Sequence, residues 1–256
     1  MLATFFLMLR EGLEAALIVG IVCAYLVKIG RRDALPKVAL GVAAAVGLSG
    51  AIGIIVTLTI DELPEVIQAT SEATSAVIAV AVLTWMLFWM RRQGRALKGE
   101  LERGVDLAIS DGSTLALVML AFVSVFREGI ETALFLIPIV SFNGSGIDTL
   151  FGGLAGLAVA IGVGWAIFVG GRRVNLRRFF TATGAVLIFV AAGLVAFAIA
   201  EFGNAGLYAN GGAAFDLSGV LSEESPIGSV LRGLFGYRST PTPLELVGYL
   251  AYLVPV

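Results

Sequence analysis

Two short stretches of the chain carry carboxylates and a guanidinium at spacings that could bind a cation. Arg10-Glu11-Gly12-Leu13-Glu14 recurs as Arg127-Glu128-Gly129-Ile130-Glu131, each copy inside a long apolar run. In helical geometry Glu11 and Glu14 are three residues apart and Arg10 and Glu14 four apart, so the three side chains share one sector of a helix. Each copy holds one guanidinium and two carboxylates, leaving a formal charge of -1 per copy and -2 for the pair. A desolvated negative excess of this kind calls for a cation or for protons. Six ionisable groups at membrane depth cost on the order of 15 to 20 kcal/mol on insertion scales, so such groups normally mark a function. The glycine in each copy, Gly12 or Gly129, removes a side chain and lets another backbone, or the ion, approach closely.

The elements that must hold these motifs are membrane helices. Of the 256 residues, 58% are hydrophobic and only 14% charged, with mean hydropathy +0.96, which is far too apolar for a soluble domain of this length. Histidine is absent and Cys23 is the single cysteine. Imidazole ligation, histidine catalysis, an intramolecular disulfide and thiolate clusters are thereby excluded, and a metal site here must be built from oxygen. No phosphate-binding glycine loop is present, which argues against ATP hydrolysis, and nothing suggests a nucleic acid partner.

Hydropathy predicts an all-α, polytopic helical bundle with spans near 2–27, 38–60, 66–90, 113–140, 149–170 and 179–202 and a shorter seventh helix at 243–256, about seven in all. Thirteen of the 17 basic residues fall in alternate connections: Lys28 to Lys37, Arg91 to Arg103, and Arg172 to Arg178. The positive-inside rule puts these loops in the cytoplasm of a multi-pass plasma or inner membrane protein, with the amino terminus outside. Met1 to Met8 lacks a basic leader, so the first helix is expected to be retained. In this topology the two motifs run in opposite directions through the bilayer. The chain then reads as two inverted three-helix repeats, 1–112 and 113–202, followed by an extracytoplasmic segment 203–242 and a C-terminal helix 243–256. Ala73-Thr74-Ser75-Ala76-Val77-Ile78 is echoed by Ala182-Thr183-Gly184-Ala185-Val186-Leu187. Inverted repeats place a site near the midplane, and Glu11, nine residues beyond Leu2, lies roughly 14 Å along its helix.

The third helix adds a polar stripe: Glu65, Gln68, Ser71, Glu72 and Ser75 repeat at helical spacing just after the acidic turn Asp61-Glu62-Leu63-Pro64. Such a stripe faces the bundle interior and would form an entry path for a cation, with Glu72 as a fifth carboxylate. Glu65, Asp61 and Glu62 also read as ordinary solvated charges, and Glu201 as an interfacial one. Trp85 and Trp89, next to Arg91 and Arg92, read as an aromatic belt. Gly152 and Gly156 suit close helix packing. Ser225-Pro226 followed by Ile227, Val230, Leu231, Leu234 and Phe235 predicts a short amphipathic helix on the outer surface, where it would cover the entrance or dock a partner.

Taken together, the paired Arg-Glu-Gly-Leu/Ile-Glu motifs, the run from Glu72 through Val82-Leu83-Thr84-Trp85-Met86-Leu87-Phe88-Trp89-Met90-Arg91, and Leu234-Phe235-Gly236-Tyr237 resemble the oxidase-dependent, high-affinity iron permeases over essentially the whole chain. The resemblance implies import of iron as a transported substrate, with no permanently bound cofactor and no enzymatic activity. It implies an extracytoplasmic ferroxidase, peroxidase or iron-binding protein as supplier. It also implies that Glu11, Glu14, Glu128 and Glu131 handle the ion, with Arg10 and Arg127 as their paired cations and Glu72 matching the glutamate of the family's third helix.

The residues alone leave other readings open. Arg10 with Glu14 and Arg127 with Glu131 are also what packing ion pairs look like, though that leaves Glu11 and Glu128 without a role. A proton-coupled exchanger of another divalent cation or small solute would use the same carboxylates, and so would a membrane enzyme with a carboxylate metal centre. Spacing does not choose Fe3+ over Fe2+ or another hard cation.

Overall fold

The computed structural model describes residues 2–61, 63–93, 97–110, 114–143, 146–170, 176–209 and 211–256. Glu62, Arg95, Arg172 and Arg173 lie outside the described residues, as do the side chains of Asp61, Trp89, Arg91, Arg92, Lys98, Arg177 and Arg178.

Among the described residues the regular elements are helices, without strands: α1 (Leu2–Lys28), α2 (Leu35–Asp61), α3 (Glu65–Gln93), α4 (Leu97–Ser110), α5 (Thr114–Asn143), α6 (Gly146–Gly170), α7 (Leu176–Asn204), α8 (Pro226–Phe235) and α9 (Pro243–Leu253). Of these, α2, α3, α6 and α7 contain windows long and apolar enough to cross a membrane. The chain is a multi-helix membrane protein. α1 and α5 are as long as these helices, at 27 and 30 residues, but each carries the three charges of its motif in the middle of its apolar run.

Local signals account for the ends of the shorter elements. Gly30, at φ +79°, turns the chain after α1, and Arg31 N–H closes back on the Leu26 carbonyl at 2.8 Å. α8 starts where Ser225 Oγ accepts from Gly228 N–H at 3.0 Å with Pro226 at the first turn, and it stops at Gly236, φ +66°. α9 starts in the same way, with Thr242 accepting from Glu245 N–H and donating to the Glu245 carboxylate.

α1 packs most extensively on α6, α2 on α5, and α3 on α7, while α1 and α5 also meet each other. Small residues close these pairs. A Cβ on Gly156 would strike the Phe5 carbonyl of α1, and one on Gly41 would strike the Val118 carbonyl of α5. Neither helix pair can approach this closely with a larger residue there. Two apolar clusters result. One joins Ala3 and Leu7 of α1 to Phe135 and Ile139 of α5, with Leu83 and Met86 of α3 and Leu187 and Leu194 of α7. The other lies toward the Lys28 end, joining Ile18, Val22 and Leu26 of α1 to Leu117 and Ala121 of α5, with Leu101, Val105 and Ala108 of α4.

One element differs from the sequence reading, and another makes a contact that the sequence did not predict. α4 occupies part of a connection that hydropathy treats as a loop. Charged and apolar residues alternate along it at helical spacing, so a span-length window averages the pattern away. α8 forms where its caps predict, and its Phe235–Gly236 end is seated on α7. Gly236 meets Gly193 backbone to backbone, and the Phe235 ring sits 5.1 Å from that of Phe189. Gly193 is 11 residues short of the end of α7, roughly 16 Å along it. The glycine pair makes this approach possible, and a pattern of apolar residues on α8 alone does not encode it.

Candidate cation site

α1 and α5 bring both motifs to one place. A carboxylate oxygen from each of Glu11, Glu128 and Glu131 lies within 4.8 Å of the other two. Six donors held about 2.1 Å from a small hard cation lie about 3 to 4.2 Å from one another, so modest side-chain rotation closes this group onto an ion. Glu11 is 2% exposed and Glu128 6%. Both oxygens of Glu11 are buried without a hydrogen-bond partner, as are Oε2 of Glu128 and Oε2 of Glu131. Buried carboxylate oxygens with no donor are costly unless something positive meets them.

The guanidinium groups take the other positions. Arg10 Nε donates to Glu14 Oε1 at 3.2 Å and Arg127 Nε to Glu131 Oε1 at 2.9 Å, so the same i,i+4 pair forms in both copies. All four carboxylates lie within electrostatic range of one another, and each arginine lies within range of three of them. Glu14 is engaged by Arg10 and stands outside the three-carboxylate group, whereas Glu131, also paired to its arginine, belongs to it and keeps Oε2 buried without a hydrogen bond. The motif glycines serve helix packing: a Cβ on Gly12 would lie 2.9 Å from Cβ of Ala160 in α6, and one on Gly129 would lie 2.6 Å from Cβ of Ser49 in α2. The clearance they provide is filled by neighbouring helices.

The α3 stripe lies apart from this group. Gln68 donates to Glu72 at 2.9 Å, and Ser75 donates to the Glu72 carbonyl. Gln68, Ser71, Glu72 and Ser75 are half-buried and Glu65 is exposed. Glu72 is within electrostatic range of Glu201 on α7, which also feels Arg238 and Glu245. Glu245 is itself buried and ion-paired to Arg238 at 3.1 Å. Sequence reasoning missed Glu245. The Thr242-Pro243-Leu244-Glu245 capping pattern marks it as a helix-start residue, yet nothing local says that its helix docks against α7.

The segment leading into α8 is tied down by polar contacts. Glu223 accepts from both N–H and Oγ of Ser239 and pairs with Arg232 at 3.5 Å, and Tyr237 donates to the Leu221 carbonyl.

Comparison with known proteins gives a consistent result. The model of the iron permease FTR1 family matches residues 1–256. The chain is 42% identical over 258 residues to proteins named ferrous iron permease EfeU from Escherichia coli O6:K15:H31 strain 536, from Shigella sonnei strain Ss046 and from Yersinia pestis. The alignments cover 100% of this chain, 93% of the first two relatives and 91% of the third. No solved structure matches.

Proposed function

The chain belongs to the iron permease FTR1 family, and on that premise we propose that Glu11, Glu128 and Glu131 form the place where its iron crosses the membrane. It is a permease and not an enzyme, and iron is its substrate rather than a resident cofactor. The observation that carries the site is the triad of buried carboxylates meeting from α1 and α5 with oxygens left without donors. Hard oxygen donors with a net formal charge of -2 suit a hard multivalent cation.

In this mechanism Glu11, Glu128 and Glu131 ligate the ion. Arg10 holds Glu14, and Arg127 holds one oxygen of Glu131, so that the carboxylates keep their positions when the ion leaves. The path is blocked on each side of the site. The cluster around Leu7 and Phe135 lies on one side and the cluster around Val22 and Leu117 on the other, and hydrophobic constrictions of this kind stop a hydrated ion. Transport therefore requires the two plugs to open in turn. Helix pairing supports the reading of α1–α3 and α5–α7 as inverted repeats. Exchanging the two sets turns the α1–α6 pair into α5–α2 and leaves α3–α7 and α1–α5 unchanged. With α9 as the seventh helix, the amino terminus lies outside and the Lys28 end of α1 lies at the cytoplasmic face of a plasma or inner membrane. The Gln68 and Glu72 region, with Glu201, would receive the ion on the outer side. Its supplier would be an extracytoplasmic ferroxidase, peroxidase or iron-binding protein, and the segment 203–242 is the outer surface that would meet it.

Iron-isotope uptake into proteoliposomes tests the site. Glu11→Gln and Glu128→Gln are each expected to abolish uptake, because either change removes an anionic ligand. Undiminished uptake in both variants would refute the assignment.

A further inference from the structure

The plug at the Lys28 end is closed by a helix that does not cross the membrane. α4 has 14 residues, roughly 21 Å of helix. It seats Leu101, Val105 and Ala108 against Val22 and Leu26 of α1 and Leu117 of α5. Ile18, the first residue of α1 in this cluster, is seven residues beyond Glu11, roughly 10 Å. α4 thus stands between the carboxylate site and that end of the bundle. On one edge a polar clip ties it to α1, where Tyr25 Oη donates to Asp106 at 2.7 Å on the exposed side. On the other edge it leaves a groove of about 370 Å³ against α5, bordered by Gly104, Leu107, Met119, Leu120 and Val123.

We infer that α4 is the cytoplasmic gate of the permeation path and that the Tyr25–Asp106 hydrogen bond is its latch, an inference that rests on the proposed passage of iron between α1 and α5. A short amphipathic helix held by a few apolar side chains and a clip belongs to the least stable parts of a fold, where moving elements are found. The motion that a broken clip would permit is a tilt of α4 away from α1, pivoting where Gly104 packs on Leu120 of α5. Such a tilt would withdraw Leu101 and Val105 from α1 and let water reach the carboxylates. The charged face of α4, with Glu100, Arg103 and Asp106, keeps the helix at the membrane surface while it moves.

Cys23 reports on the gate without modification of the chain, because it is partly buried against the same cluster and is the single cysteine. Its alkylation by a membrane-impermeant maleimide is followed by mass spectrometry in inside-out vesicles, without iron. Tyr25→Phe and Asp106→Ala are each expected to speed labelling about five-fold, the scale set by one hydrogen bond. Thr84→Val, which removes the 2.8 Å bond to Tyr252 elsewhere in the bundle, is expected to leave the rate unchanged. Unchanged labelling in both latch variants would overturn the gate. So would equal acceleration by Thr84→Val, since that would mean general loosening. The readout requires no iron binding, so its failure is distinct from failure of the glutamate site, which the uptake assay reads.

Discussion

Two copies of one motif occupy different surroundings. In α1 the Arg10 side chain is 2% exposed, whereas in α5 the Arg127 side chain is 47% exposed, although each donates through Nε to the glutamate four residues on. Glu131 contributes to the three-carboxylate group and Glu14 does not. Gly12 faces an alanine across the helix interface, and Gly129 faces a serine. Thr132, one residue beyond the second motif, donates to the Glu128 carbonyl, while the equivalent position after the first is Ala15. Identical local chemistry has therefore been given unequal burial within the bundle. A buried ion pair is mainly a liability if broken, and a half-exposed one costs less to break.

The largest test of that difference is to remove each arginine. Arg10→Met is expected to destabilise the protein by about 3 to 5 kcal/mol, because a sealed guanidinium is lost from beside Glu14 and nothing in that buried place can replace it. Arg127→Met is expected to cost less, about 1 to 3 kcal/mol, because Glu131 is as buried as Glu14 but the half-exposed guanidinium leaves a place that other groups can reach. Thermal unfolding in detergent measures both, and equal losses would show that the two environments are equivalent after all.

Next in size are the glycines. Gly129→Ala drives a methyl into Ser49 and is expected to cost about 1 to 3 kcal/mol, with Ser49→Gly restoring most of it. Gly12→Ala should cost less, since Ala160 stands slightly farther off, with Ala160→Gly as its rescue. Absence of rescue in both cycles would mean that the helix pairs do not close through these contacts. The smallest effect belongs to Thr132→Ala, which makes the second copy resemble the first at that position. Its hydroxyl bonds the preceding turn of its own helix, so a stability change within about 0.5 kcal/mol and normal iron uptake are expected. A large loss of uptake would reveal Thr132 as a further contributor to the site.

Much of this was legible before any coordinates. The long helices appear close to their predicted bounds, because runs of twenty or more apolar residues have few alternatives to helix in a bilayer. The Ser225-Pro226 and Thr242-Pro243 signals mark the starts of α8 and α9, because capping is decided within a few residues. The pairing of Arg10 with Glu14 and of Arg127 with Glu131 follows from helical spacing alone. α4 was illegible to hydropathy because its apolar residues form a stripe and not a run. The seat of α8 on α7 was illegible because it depends on two glycines 43 residues apart in sequence, Gly193 and Gly236.

The sequence by itself determined that the chain is a helical membrane protein and that two copies of one motif set carboxylates and a guanidinium inside its apolar runs. These are properties of composition and of spacing within one helix, where neighbours in space are neighbours in the chain. Only the tertiary structure decided which carboxylates meet, separating Glu11, Glu128 and Glu131 from Glu14 and setting Glu72 beside Gln68 and within range of Glu201. It also decided that one arginine is sealed and the other half open. Those outcomes depend on how helices distant in sequence rotate and close on one another, and that is governed by small-residue contacts such as Gly129 with Ser49 and Gly156 with Phe5, which no single segment contains.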